Sequence, residues 1–315
     1  MDTISVIVPC HNRVEYLPRC LNSILCQSYE NLEIVCVNDG STDNSLNVLK
    51  KYAIKDARIK ILDIPHGGPG KARNLGIENS SGNYLMFCDS DDEFVPEACE
   101  KLHHALTNDN CDIAMCSTKV IYGSDIHMQQ SDQAYYNLKY DGLISNAHDI
   151  INVVDVSVCN KIFRRSLIDE YAIKFIENRL YEDACFAWKY FSVSKRFFCV
   201  KDQLYIYYRH FGSIMNETFS KSKRSIDHIY IADDIYEFLI RHHLFENFAQ
   251  DFLSFYKSCV NFALNYSDEE SKVEIEALNA QFQKKYAPWL TYFEKKEMLK
   301  NRQILLNNLR SNIKL

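Results

Sequence analysis

The sequence predicts an α/β fold: a mostly parallel central sheet with helices on both faces, followed by a C-terminal helical region. Three observations predict it. Short apolar runs alternate with helical spacings through residues 1–122, the runs are mostly apolar and do not alternate strictly with polar residues, and beyond residue 218 only the helical spacing remains.

Ile4 to Val8 is the first apolar run. Leu17, Cys20, Leu21, Ile24 and Leu25 then recur at helical spacing, and Leu32 to Val37 is a second run, which completes a βαβ unit. Leu46, Leu49 and Ala53 mark a second helix, Ile59 to Ile64 a third strand, Ala72 to Asn79 a third helix and Tyr84 to Cys88 a fourth strand. A fifth strand is expected over Asp112 to Tyr122. The polar stretch from Ser124 to Asn137 reads as a loop or a lid over whatever the sheet binds. Helices are expected near Lys161 to Tyr171 and over Asp183 to Phe191, with short strands at Arg196 to Val200 and Gln203 to Tyr208. From Phe219 onward aromatics such as Tyr230, Tyr236, Phe252 and Tyr256 occupy the apolar positions of helices, more suited to a helical core than to a ligand cage. The expected division is a domain over 1–217, split into a nucleotide-binding half (1–122) and an acceptor-binding half (123–217), with a helical region over 218–315.

Composition excludes several classes. The formal charge of -6 and a pI near 5.9 argue against a nucleic-acid binder. From Lys284 onward eight basic residues face only Glu294 and Glu297, leaving +6 in the tail against -12 in the remainder. Interleaved with Trp289, Leu290, Phe293, Leu299 and Ile304, this tail suits an anionic membrane surface, and equally a solvated amphipathic helix or a homodimer contact. No run approaches the roughly 18 apolar residues of a membrane span. The first residues run straight into a strand and leave no room for a signal peptide. The twelve cysteines lack any Cys-x-x-Cys pair and many lie in apolar runs, which implies a reduced chain in the cytoplasm, peripheral on the membrane if the tail binds lipid.

Ligands of an open α/β sheet sit at the carboxyl ends of its strands, and polar clusters follow the first four strands in turn. They are Pro9-Cys10-His11-Asn12-Arg13, Asn38 to Asp43, Gly67 to Asn74, and Asp89-Ser90-Asp91-Asp92. Each alone suits a turn or a helix cap. Four on one rim point to a ligand site. The glycine loop matches neither a Walker phosphate loop nor the dinucleotide fingerprint, which disfavours kinase and dehydrogenase readings. Three carboxylates at the tip of an apolar strand repel one another, so a cation carrying a phosphorylated ligand is the expected partner.

The series SVIVPCHN (Ser5 to Asn12), VNDGSTDNS (Val37 to Ser45), GPGKARNLGI (Gly68 to Ile77) and FCDSDD (Phe87 to Asp92) resembles family 2 glycosyltransferases of the GT-A fold. VCNKIFRRSLI (Val158 to Ile168) and LYEDACF (Leu180 to Phe186) are similar to two later segments of that family. The resemblance implies an inverting, metal-dependent transfer of a sugar from a UDP-sugar to a hydroxyl of a saccharide or lipid-linked acceptor, as in cell-surface polysaccharide or glycolipid synthesis. It implies that Pro9, Cys10, Asn12 and Arg13 line the base pocket, that Asp39 binds uracil, and that Arg73 lies near the base or diphosphate. Asp89 would face the ribose, and Asp91 would ligate Mn2+ or Mg2+ between the phosphates. Gly70, Asn74, Ser90 and Lys161 complete the implied donor site, Lys161 being equally a surface lysine. Asp183 would be the catalytic base, with Glu182 beside it at the acceptor. Arg209 and His210 resemble a segment that closes over the diphosphate, where a His can act as an extra metal ligand or remain a partly buried side chain. His11 is assigned no chemistry. Two other readings stay open: a non-catalytic nucleotide-sugar-binding subunit, and a sugar-phosphate nucleotidyltransferase, whose Gly-rich, Arg-containing loop after the first strand is absent here.

Overall fold

The computed structural model describes residues 2–123, 133, 136–151, 154–209 and 223–289. His210, most of the Ser124 to Asn137 segment and the basic tail beyond Trp289 lie outside the described residues. The expected α/β class is borne out. Strands β1 (Ile4–Cys10), β2 (Leu32–Asp39), β3 (Ile59–Ile64) and β4 (Tyr84–Phe87) alternate with α1 (Leu17–Leu25), α2 (Ser45–Lys55) and α3 (Gly68–Glu78). Then follow β5 (Glu93–Phe94), α4 (Ala98–Asn108), β6 (Ile113–Tyr122), β7 (Gly142–Ile144), α5 (His148–Ile151), β8 (Lys161–Arg164), α6 (Arg165–Glu170), α7 (Glu182–Val193) and β9 (Phe197–Arg209). The C-terminal region contains α8 (Asp227–Arg241), α9 (Phe245–Asn265) and helical residues 269–289.

One nine-stranded sheet runs in the order β3-β2-β1-β4-β8-β6-β9-β5, with β7 also on β9. Strands β3, β2, β1 and β4 are parallel, as are β6 and β9. β8 is antiparallel to both β4 and β6, so the sheet is mixed. Here the structure departs from the expected helix near Lys161 to Tyr171: its first four residues are this inserted strand, and only Arg165–Glu170 is helical. The apolar spacing around Leu167 and Ile168 cannot reveal a strand whose hydrogen bonds go to residues about 50 and 80 positions away. The two short strands expected between Arg196 and Tyr208 are one strand, β9, with a register shift against β6 at Cys116 to Thr118. All twelve cysteines are unpaired and eleven are buried, acting as small hydrophobes. No helix among the described residues is long and apolar enough to cross a membrane.

An aromatic cluster joins the tip of β4 to the start of α7. Phe87 meets Phe163, Phe175 and Phe186 edge to face at centroid distances of 5.8, 5.3 and 5.7 Å, and Phe175 stacks on Phe186 at 4.1 Å. Phe87 lies two residues before Asp89 and Phe186 one turn after Glu182, so packing here sets the distance between two parts of the polar rim. The helical C-terminal region braces the same place. Asp227, at the start of α8, accepts Arg179 Nη1 at 2.9 Å and the Leu180 N–H at 3.0 Å, just upstream of α7. Lys189 in α7 pairs with Asp234 in α8.

Replacing Phe186 by Ala empties the centre of this cluster and is expected to cost about 3–5 kcal/mol. A lowered urea midpoint with an unchanged denaturant slope checks it.

Candidate functional site

The strand order reverses between β1 and β4, and the polar segments gather outside the carboxyl ends of these strands. Asp39, at the end of β2, is buried, and its two carboxylate oxygens accept the Gly67 and Gly68 N–H groups at 2.7 and 2.9 Å. Two imidazoles rest on it. His11 Nδ1 lies 2.7 Å from the Asp39 carbonyl, and His66 Nδ1 lies 3.0 Å from Oδ2, with the two rings 4.2 Å apart. Both partners are acceptors, so each Nδ1 carries its proton. Gly40 is required between them: its φ of +63° is left-handed, and a Cβ would stand 2.6 Å from the His66 nitrogen. His66, which no sequence motif singles out, and His11, to which the sequence assigns no chemistry, are thus brought together on the Asp39 side of the rim. Their one sequence signal is adjacency, His11 to Asn12 and His66 to the Gly67-Gly68 turn.

Asn12 adopts φ 53° and uses Oδ1 to accept the Thr42 and Asp43 N–H groups at 2.8 and 3.2 Å. It ties the loop after β1 to the loop after β2. Arg13 adds its N–H to Ser45 Oγ at 2.8 Å.

Arg73, on α3, is the centre of the site. Its side chain is 4% exposed and its guanidinium meets Asp89 at 2.7 Å, Glu182 at 2.6 Å and Asp183 at 2.9 Å. The Phe175 ring lies 5.4 Å below it. One cation therefore gathers carboxylates from the tip of β4 and the first turn of α7. Burial is the largest influence on Asp183 and raises its pKa; Arg73 opposes this, Glu182 and Asp89 add to it, and the group is pushed up to about 7. The residue before this pair, Tyr181, is held at φ 63°, a strained conformation for an aromatic residue.

The carboxylates after β4 are not equivalent. Asp92 is buried and accepts Tyr205 OH at 2.6 Å and the Tyr208 N–H at 2.8 Å; burial, then Asp91 and Asp89, push it well above the usual carboxylate range. Asp89 is paired with Arg73. Asp91 keeps 17% of its side-chain surface and meets Arg13 Nε at 3.2 Å, while its carbonyl accepts Arg19. A hard divalent ion bound through one carboxylate and ligand oxygens fits Asp91, whose side chain is partly exposed, provided that it displaces the Arg13 guanidinium. Among the described residues, the group of three side chains whose ligand atoms gather within 4.8 Å is instead His11, Asp39 and His66. Two imidazoles and a carboxylate suit a borderline transition ion better than a cation bridging phosphates.

Other residues expected at the donor have structural duties. Pro9 and Cys10 end the buried β1, and burial pushes the Cys10 thiol up to about 11. Asn74 is buried and bonds both backbone groups of Phe175, at 2.9 and 3.0 Å, and Glu177 at 3.0 Å. Gly70 allows that segment to approach, since a Cβ would stand 2.4 Å from the Ile176 carbonyl oxygen. Ser90 is buried beneath the rim. Lys161 does not reach it: its ammonium is fully buried and bonds Ser157 O at 2.6 Å, Asn160 Oδ1 at 2.7 Å and Asp155 O at 3.0 Å. A lysine in the inserted strand β8 points into the 155–160 loop, which the helix expected there from sequence could not foretell. Arg209 ends β9 half-buried, level with Tyr122 of β6.

A model of the family described as Glycosyl transferase family 2 matches residues 5–172. The chain is 32% identical over 220 residues to Glycosyltransferase GlyA of Streptococcus pneumoniae serotype 4, covering 68% of this chain and 31% of that protein. It is 31% identical over 225 residues to Putative glycosyltransferase EpsH of Bacillus subtilis, covering 67% of this chain and 62% of that protein. The chain thus spans less than two thirds of the length of either relative. Residues 1–349 of TarS from S. aureus, in complex with UDP-GlcNAc, share the fold at a TM-score of 0.63 and 22% identity, covering 88% of this chain and 84% of that one. The mannosyltransferase PcManGT of Pyrobaculum calidifontis, in complex with GDP-Man and Mn2+, does so at 0.54 and 15%, covering 91% and 83%.

Removing the Arg73 charge strands three carboxylates around an apolar floor. Arg73→Met is expected to destabilise the fold by about 3–5 kcal/mol at pH 8, and by less at pH 5, where protonation of Asp183 relieves part of the repulsion. Thermal denaturation at the two pH values checks both the size and the sign.

Proposed function

We propose that this chain, which belongs to glycosyl transferase family 2, transfers a sugar from a UDP-sugar to an acceptor hydroxyl by a single displacement with inversion. The observation that carries the reading is the Arg73 cluster, which sets Asp183, with a pKa of about 7, beside the carboxylates that follow β4.

A neutral sugar hydroxyl is a poor nucleophile, and a carboxylate whose pKa lies near the working pH is suited to take its proton during attack. In the proposed step Asp183 accepts the acceptor's hydroxyl proton as that oxygen bonds to the anomeric carbon. The bond from that carbon to the diphosphate oxygen breaks, and its electron pair leaves with UDP. Glu182, sharing Arg73 with Asp183, orients the pair toward the acceptor. Asp89 faces the ribose, and Asp39, braced by two backbone N–H groups, presents an acceptor to an N–H of uracil while His11 and His66 flank the base. A divalent cation, Mn2+ or Mg2+, held by Asp91 would offset the charge developing on the leaving diphosphate. The UDP-GlcNAc bound to TarS and the Mn2+ bound to PcManGT support the donor class and the ion. Arg209 and His210 would act on the diphosphate. The acceptor is a saccharide or lipid-linked hydroxyl, reached at the membrane if the basic tail binds it.

Asp183→Asn is expected to lower kcat by about 10²–10⁴-fold while leaving the melting temperature and UDP binding near wild type. Asp91→Ala should abolish metal-dependent transfer. Near wild-type turnover in either variant, measured as UDP release with sugar incorporation, contradicts that residue's role. Because a raised pKa leaves Asp183 protonated below about 7, kcat/KM should rise with pH and reach half its plateau near that value. An acid limb centred near pH 4 would count against Asp183 as the base.

A further inference from the structure

The three carboxylates after β4 differ in the strength of their attachments. Asp89 is held by the buried Arg73, and Asp92 by Tyr205 and the Tyr208 backbone. Asp91 faces Arg13, whose Nε is 3.2 Å from Oδ2, with both side chains partly open at 22% and 17% exposure. Arg13 is fixed at its backbone by Ser45, yet its remaining guanidinium contacts are long: Nη1 lies 3.4 Å from the His11 carbonyl and 3.2 Å from that of Asn12. The main chain is anchored at 2.8 Å, whereas each guanidinium contact is 3.2 Å or longer.

We infer that Arg13 is a resident counter-ion of Asp91 that competes with the divalent cation and is handed over to the donor's diphosphate, so that metal and nucleotide bind together. This rests on the proposed binding of the cation by Asp91. A cation arriving alone must part Arg13 from its carboxylate and leave a guanidinium with weak carbonyl contacts. A diphosphate arriving with it supplies the planar fork with a new anionic partner. Each ligand thereby lowers the cost of binding the other, and the linkage is reciprocal. Arg13 acts here as a positioning residue. The neighbouring Arg19 cannot replace it, because Arg19 spends its guanidinium on the Asp91 carbonyl, on Glu93 at 3.1 Å and on the Tyr208 ring at 3.5 Å.

Mn2+ affinity, measured by electron paramagnetic resonance with and without UDP, tests the inference in the full chain. R13Q should bind Mn2+ alone about three- to tenfold more tightly than wild type, since removing a cation beside a partly exposed carboxylate favours another. The factor by which UDP improves Mn2+ binding should shrink by a similar amount. R13K, which keeps the charge, should move less than R13Q. A purely structural role predicts the opposite sign, because a damaged site binds metal more weakly. Unchanged or weakened Mn2+ binding in R13Q, or an undiminished effect of UDP, overturns the handover. Wild-type Mn2+ binding retained in D91N, or no Mn2+ binding even with UDP, overturns the cation's place at Asp91 and the handover with it.

Discussion

The link between β4 and α7 at this site depends on one buried guanidinium. Arg73 holds Asp89, Glu182 and Asp183, which belong to elements more than ninety residues apart in sequence, and it does so with its side chain almost wholly out of water. Three carboxylates around one buried cation leave a net negative cluster. Repulsion and desolvation then outweigh the attraction for Asp183, and its proton affinity rises toward neutrality. A fully neutralised pair would have been more stable and chemically inert.

The rest of the chain keeps that arrangement from relaxing. Asn74 and Gly70, one on each side of Arg73 on α3, bring in the 175–182 segment, Asn74 by hydrogen bonds to its main chain and Gly70 by the absence of a side chain. The phenylalanine cluster beneath fixes the distance from β4 to α7, and Asp227 of the helical C-terminal region ties down Arg179 and Leu180. These helices therefore brace the candidate base from behind. The left-handed Tyr181 lies in the middle of this support, where several independent contacts can hold a costly backbone conformation.

Much of this was legible in the sequence, for definable reasons. The first four strands are mostly apolar and each is followed by a polar cluster, so local pattern was enough to place the rim. The downstream half was harder because its decisive contacts are long-range. β8 lies between β4 and β6, and nothing in the local pattern of Lys161–Arg164 distinguishes such an insertion from the start of a helix. Polar side chains show the same limit: Asn74 bonds the main chain of Phe175, about a hundred residues away, and Lys161 turns into the nearby 155–160 loop, and neither partner is visible in the residues around it. Asp89, Asp91 and Asp92 could be recognised as a set, but their separate fates were set by Arg73, Arg13 and Tyr205, contributed by three other elements. His66 escaped notice because its partner, Asp39, is 27 residues away across a strand boundary.

Arg73 gathers the carboxylates, and the proposed role of Asp183 as base requires a pKa near neutrality. Titration of the Asp183 carboxyl carbon by 13C nuclear magnetic resonance, with the resonance assigned by its loss in Asp183→Asn, tests this without reference to any substrate. The expected midpoint lies near 7. A midpoint at the ordinary aspartate value of 3.8 would contradict it, because Asp183 would then be an ion-paired structural carboxylate too weakly basic for the role.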